Sequence, residues 1–360
     1  MINRLCIGLG NAGATIVRDI ANTPDMDDIK LYAIDSTTAN ATIKTLRDVN
    51  YLCTISDENQ GSGRDRERGA AMYKYHESSG DFDEMYSDAM DAKGPVILIT
   101  SAAGGTGSGS IVPLCKTLLE NGVSIIPVII FPNDKDPIAY HLNANDLLIE
   151  LGEVGIETYS VFVNPANTVD YTDINKEVVE LIEILFGTTY QSTDHDSIDD
   201  SDLIKILETP GRFIAISAKA PDTTRLKKEL TRKVFSGYQP AWTDVEAQEH
   251  TLVKGYALTS MFASSDYPEV FRELNSRIPN SFDEYKNVVD ADNDGVAEAT
   301  VIIAGLPRHQ VKKIDTEFNE VKGISDGMVK STRPKFMGRK KATITKPQDN
   351  ESGKPKFEWK

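Results

Sequence analysis

Apolar residues gather in short unbroken runs along this chain, at Leu5–Leu9, Leu31–Ile34, Pro95–Thr100, Val123–Phe131 and Tyr159–Asn164. Each run is rich in β-branched residues and bounded by glycine, proline or polar positions, as in strands covered on both faces of a parallel sheet. Segments of helical spacing lie between them: one ending at Asn22, then Ile111–Asn121 (stopped by Gly122) and Ile138–Leu151. The longest helical pattern is Thr172–Phe186, where Ile174, Val178, Val179, Leu181, Ile182 and Leu185 share one face and predict a core helix. Tyr73–Met90 is polar and helix-capable and is expected on the surface. From Arg212 a second α/β unit is predicted, with strands Phe213–Ser217, Val253–Phe262 and Thr300–Leu306 and helices Thr223–Phe235 and Tyr267–Arg277. Arg308–Gly323 predicts one more helix, and from Ser325 the chain is too poor in apolar residues to fold.

Two of the strand ends carry chemistry. Gly8-Leu9-Gly10-Asn11-Ala12-Gly13 follows the first strand, and Asp35 closes the second, which is the spacing of a dinucleotide fingerprint. Taken alone, this motif predicts an NAD-dependent oxidoreductase with a Rossmann domain. A second cradle stands about ninety residues on, at Ser101–Ser110 (SAAGGTGSGS), between a buried strand and a helix. Its tiny side chains let an anion reach the backbone N–H groups where a helix begins. Two such cradles at neighbouring strand ends can hold a triphosphate. A third loop, Asn59–Ala71, adds Gly61-Ser62-Gly63 crowded by Arg64, Asp65, Arg66 and Arg68, and suits a terminal phosphate.

Charge changes the picture at two places. The net charge is −16, but Val329–Lys360 holds ten Lys/Arg against three Asp/Glu, so the rest of the chain carries −23. The body is thereby a poor nucleic-acid binder, whereas the tail suits DNA or an acidic partner. Asp194, Asp196, Asp199, Asp200 and Asp202 crowd nine residues before a short helix, Asp202–Leu207, which Asp200 or Ser201 can cap. Such a cluster calls for a metal or a cationic partner.

Other features exclude more than they propose. No apolar run is long enough for a membrane span, a strand begins at Leu5 in place of a signal peptide, and Cys6, Cys53 and Cys115 lack metal-ligand spacing. These point to a cytoplasmic chain with reduced thiols. Asp290-Ala291-Asp292-Asn293-Asp294-Gly295 copies half of a calcium loop, but Val301 stands where the closing glutamate belongs, and a surface turn is expected. His76, His141, His195, His250 and His309 form no local metal pair.

Ala103–Gly109, AGGTGSG, resembles the tubulin/FtsZ signature GGGTG(S/T)G, and the likeness extends in element order over residues 1–306. The resemblance implies a Rossmann-like parallel-sheet GTPase domain (1–171), a long central helix (172–187) and a smaller α/β activation domain (188–306). A C-terminal helix (307–324) and a flexible basic tail (325–360) would follow. It implies a site for GTP or GDP with Mg²⁺ carried on the phosphates, and no protein metal site. Gly10, Asn11 and Gly13 would form the first phosphate loop, with Asp35 near the second. Gly61, Gly63 and Arg64 would lie in the loop that senses the terminal phosphate, and Gly104, Gly105, Thr106, Gly107 and Ser108 in the signature loop. Tyr171 would stack on guanine and Asn175, four residues on, would meet its edge. Ser197–Asp202 matches the N-x-D-x-x-D synergy loop with Ser for Asn, so Asp199 and Asp202 would act catalytically on the neighbouring subunit's GTP. Ala103 for the first glycine, the GSGRDR form of the third loop and the basic tail make the chain most similar to the TubZ branch. That branch implies head-to-tail filaments and a TubR-like adaptor on centromeric DNA, engaged through residues 329–360 with no direct reading of sequence. It also implies a plasmid- or phage-borne chain that segregates DNA.

Overall fold

Alternate residues of the first strand feed two separate cores: Leu5, Ile7 and Leu9 pack on one face of a sheet, Cys6 on the other. The computed structural model describes residues 4–24, 26, 28–37, 50–53, 61–133, 135–163, 171–187, 200–222, 224–230, 232–233, 253–260, 272, 283–290 and 297–306. The first half runs β1 (Arg4–Leu9), α1 (Gly10–Ala21), β2 (Ile29–Asp35), β3 (Asn50–Cys53), α2 (Arg66–Ser78), α3 (Asp83–Asp91), β4 (Val96–Ser101), α4 (Thr106–Glu120), β5 (Ile125–Phe131), α5 (Ile138–Glu153) and β6 (Thr158–Val163). There follow α6 (Thr172–Gly187), α7 (Asp200–Leu207), β7 (Gly211–Ala220), β8 (Val253–Ser260), β9 (Asp283–Asp290) and β10 (Ala297–Leu306). Residues 224–230 are helical. Together the strands form one sheet in the order β3-β2-β1-β4-β5-β6-β7-β10-β8-β9.

From β3 to β7 every pairing is parallel, and the described links β1–β2, β3–β4, β4–β5, β5–β6 and β6–β7 are crossovers that lay helices on the sheet's faces. One face is covered by α1 through Ile16, Val17 and Ile20, and by α6 through the stripe Ile174–Phe186. α2, α3, α4 and α5 cover the other through Tyr73, Phe82, Met85, Ile111, Leu114 and Leu147. β10 reverses direction, pairing antiparallel with both β7 and β8.

Several predicted boundaries change. α4 starts at Thr106, five residues before the predicted Ile111, so much of the glycine-serine segment is helix rather than loop. Low propensity is overridden there because small residues let α4 press against neighbouring backbone. The segment 73–90 is no surface helix: it is two helices, and Tyr73, Phe82 and Met85 are completely or almost completely buried. Its polarity belongs to the outer faces. β3 and β9 were not expected, being a four-residue strand and a largely polar one. Asp200 is the first residue of α7, so neither it nor Ser201 stands before the helix as a cap. Of the predicted helix Tyr267–Arg277 only Arg272 is described, and it is helical. Of the calcium-like motif Asp290–Gly295 only Asp290, the last residue of β9, is described. The predicted helix Arg308–Gly323 and the tail fall outside the described residues.

Candidate nucleotide-phosphate site

β1 continues the sheet through β2 and β3 on one side and through β4 on the other. The order therefore reverses between β1 and β4, and a crevice opens at their carboxyl ends, where ligands of open α/β sheets bind. Both strands run directly into the glycine-rich segments. Gly10 begins α1 with φ +69°, and a Cβ there would stand 2.9 Å from the Gly107 nitrogen. A Cβ on Gly107 would in turn collide with the Leu9 carbonyl and the Thr100 hydroxyl. The two helix starts thus meet backbone to backbone, which glycine alone permits. Neither the Leu9 nor the Gly105 N-cap supplies a side-chain hydrogen bond, and two helix starts converge with their positive ends on one crevice.

Hydroxyl groups bind the floor of this crevice together. The Ser36 and Thr106 hydroxyl oxygens are 2.5 Å apart, Thr106 Oγ1 donates to Ser62 Oγ at 3.0 Å, and the Ser62 N–H donates to Ser36 Oγ at 3.3 Å. Ser108 Oγ donates to the Gly104 carbonyl at 2.5 Å. The side chains of Thr106 and Ser108 therefore fix the cradle, and what the first turn of α4 offers a ligand is backbone N–H. Asp35, at the end of β2, is buried and accepts the Ser36 N–H at 2.7 Å. Burial pushes its carboxyl up to about 6, against a smaller downward pull from that N–H.

The third loop closes the crevice. Ser62-Gly63-Arg64-Asp65 is a tight turn with a 3.2 Å hydrogen bond from the Asp65 N–H to the Ser62 carbonyl, and φ is positive at both Gly63 (+66°) and Arg64 (+65°). Arg64 is the one non-glycine with positive φ among the described residues, at a cost of about 1 kcal/mol. Asp65 caps α2 by accepting from the Arg68 N–H at 3.1 Å. Arg66, expected in the crowd of guanidinium groups at the phosphate, is turned away. It is buried, forks onto Glu150 at 3.0 and 2.8 Å, and donates to the Ser108 carbonyl at 3.2 Å. Nothing local marks this: the partners are 84 residues apart.

Gly10, Gly13, Asp35, Gly61, Gly63, Arg64 and Gly104–Ser108 are thus gathered on four segments around one crevice, with Asn11 exposed in the first turn of α1. Tyr171 is exposed at the head of α6, just after β6, and its carbonyl accepts the Asn175 N–H at 3.0 Å, so the two side chains stand one helical turn apart. Asp202 lies elsewhere. α6 runs from the carboxyl edge of the sheet back to the amino edge, where its Phe186 ring lies 5.0 Å from the Arg4 guanidinium at the start of β1. Past α7, the Thr209 carbonyl accepts from Thr158 at the start of β6, at 2.9 Å. Asp202, on the short helix between these two points, pairs with Lys205 at 3.4 Å. Asp199 lies outside the described residues, as does Ser197. Among the described residues no group of three His, Cys, Asp or Glu could hold a metal ion. Cys6 and Cys115 are buried thiols.

A parallel sheet whose order reverses between two glycine-lined helix starts defines a nucleotide-phosphate binding fold of the Rossmann type. More particularly, the chain has the tubulin/FtsZ fold. A GTPγS-bound protofilament of CetZ2 from Haloferax volcanii superposes with a TM-score of 0.68 at 15% identity, covering 89% of this chain and 99% of that one. A GTPγS-form protofilament of TubZ from Bacillus thuringiensis serovar israelensis gives 0.66 at 16% identity, with 92% and 95% covered. An FtsZ dimer from M. jannaschii gives 0.63 at 16% identity, with 86% and 92% covered. No family model matches the sequence, and no curated protein does.

Proposed function

We propose that this protein binds and hydrolyses GTP and assembles head to tail into filaments, each active site being completed by the next subunit. One observation supports the reading: the chain enters and leaves the segment that carries Asp202 at the amino edge of the sheet, beside Arg4 and Thr158, whereas the glycine-rich crevice lies at the carboxyl edge of β1 and β4. The cradle suits a triphosphate by its donor set, since a Cβ on Gly10 or Gly107 would fill the space between the two helix starts. Backbone N–H groups of Gly10–Gly13 and Gly105–Ser108 would hold the phosphates, with loop 61–65 at the terminal one. Tyr171 and Asn175 would receive the base. Mg²⁺ carried on the phosphates would neutralise charge on the leaving group. Asp202, with Asp199, would orient the attacking water on the subunit below. A contact between unlike ends is heterologous, and where its rotation does not close an open polymer results.

The finer role we infer is segregation of plasmid or phage DNA in a bacterial cytoplasm. Tail 329–360, with its ten basic residues, would engage a TubR-like adaptor on centromeric DNA. Among the described residues no helix is long and apolar enough to cross a membrane. An NAD-dependent oxidoreductase is the second reading, and Asp35 weighs against it. A ribose acceptor must face the ligand, whereas this carboxyl is buried and directed at Ser36. Titration with fluorescent GTPγS and, separately, with NADH decides between them. Saturable GTPγS binding without NADH binding supports the GTP reading, and the reverse overturns it.

A further inference from the structure

One helix reaches the third loop with three side chains on a single face. From α5, the Tyr140 ring lies under the Arg64 guanidinium, 4.7 Å from Cζ to ring centre. Asn143, three residues on, points its Nδ2 at three carbonyls: Arg64 at 3.2 Å, Ala103 at 3.1 Å and Gly104 at 3.2 Å. Glu150, two turns further, takes the fork of Arg66. The spacing 140, 143, 150 keeps all three on one side of the helix.

Asn143 is the informative member. Its amide bridges carbonyls from two cradle loops, 61–65 and 103–108, which no backbone hydrogen bond among those described joins directly. Glycine and arginine both sit at left-handed φ in the turn it holds. A β-carbon at φ +65° is tolerated only when surrounding contacts fix it. Two of those contacts come from α5: the amide on the Arg64 carbonyl and the ring beneath its guanidinium. Neither residue belongs to a phosphate motif.

We propose that Tyr140 and Asn143 are positioning residues that lock loop 61–65 against the 103–108 loop and so set the preference for a nucleoside triphosphate over a diphosphate. This rests on the GTP reading above. Because the loop stands where the terminal phosphate would lie, loosening it costs triphosphate affinity and leaves the diphosphate contacts of α1 and α4 in place. Losing a ring contact or a shared amide of this kind corresponds to roughly a fivefold change in affinity each.

The test uses the full-length chain and its Y140L, N143A and Y140F variants, titrated with fluorescent GTPγS and GDP, with amide hydrogen exchange of 61–66 measured without nucleotide. The expected result is a GTPγS affinity about fivefold lower in Y140L and N143A with GDP changed less than about twofold, and Y140F close to the parent. Exchange in 61–66 should be faster in the two weakened variants. Equal losses for both nucleotides, or unchanged exchange, would make the pair a purely structural contact and overturn the proposal. A parent chain that binds neither nucleotide would instead overturn the GTP reading, and the proposal with it.

Discussion

The guanidinium of Arg4 lies 5.0 Å from the centre of the Phe186 ring, and this contact ties the last turn of α6 to the first residue of β1. β1 ends at Leu9, beside the phosphate crevice, about 17 Å further along at the rise of a parallel strand. α6 itself spans about 24 Å from Tyr171 to Gly187. The chain thus enters the segment leading to α7 at the amino edge of the sheet, away from the glycine-rich helix starts.

The Asp202→Ala variant follows directly. Asp202 belongs to no core cluster and its ion pair with Lys205 is short-range and partly exposed, so folding should be little affected. We expect GTP binding and assembly at parental levels and turnover down roughly a hundredfold, the scale of a lost catalytic base. Sedimentation with parallel phosphate release checks both. Undiminished release would remove Asp202 from the mechanism.

The backbone contact between the two helix starts predicts an asymmetry between glycines. Gly107→Ala places a methyl against the Leu9 carbonyl and the Thr100 hydroxyl, and should abolish nucleotide binding. Gly152→Ala meets nothing within 4 Å in α5 and should bind normally, with stability raised by up to about 1 kcal/mol. Titration and melting of both variants would reveal an error in the cradle if Gly107→Ala bound as the parent does.

Asp35 makes stability depend on pH. Its folded carboxyl is raised to about 6 from an ordinary 3.8, so the group favours the folded state most below pH 4, and that contribution is lost as pH rises through 6. At neutral pH the ionised, buried carboxylate costs about 3 kcal/mol. Asp35→Asn, which keeps an acceptor for the Ser36 N–H, should melt higher than the parent at pH 7.5, with the gap narrowing toward pH 5. A constant gap across that range would contradict the assigned titration.

The basic tail makes a separable prediction. Deleting Val329–Lys360 removes a net +7 and should leave polymerisation intact while abolishing capture of an adaptor–DNA complex, read by co-sedimentation of labelled centromeric DNA. Undiminished capture would reassign those residues to solubility.

Much of this architecture is legible in the residue pattern, because parallel strands buried on both faces are unbroken apolar runs. α6 begins where the spacing of Ile174–Leu185 says, and ends one residue later. The misses share a cause. β3 (NYLC) and β9 (DEYKNVVD) are short or largely polar, and neither forms an apolar run. Tyr73 and Phe82 sit among charged neighbours, and only the packing of α2 on α4 shows which face is inside. The glycines of the cradle were visible as a motif, yet the turns that open α4 were not, since their helicity comes from backbone contact with β1. The clamp residues Tyr140, Asn143 and Glu150 leave no signal at all: their partners lie 39 to 84 residues away and match no spacing rule.

The central claim is that one subunit supplies the cradle and the next supplies the carboxylates. Steady-state GTP hydrolysis measured against protein concentration, with Mg²⁺ in excess, tests it most directly. The account predicts a rate per molecule near zero below a threshold concentration and rising steeply once subunits stack. A rate per molecule that stays constant from dilute to concentrated protein would mean the site is complete within a single chain, and would contradict it.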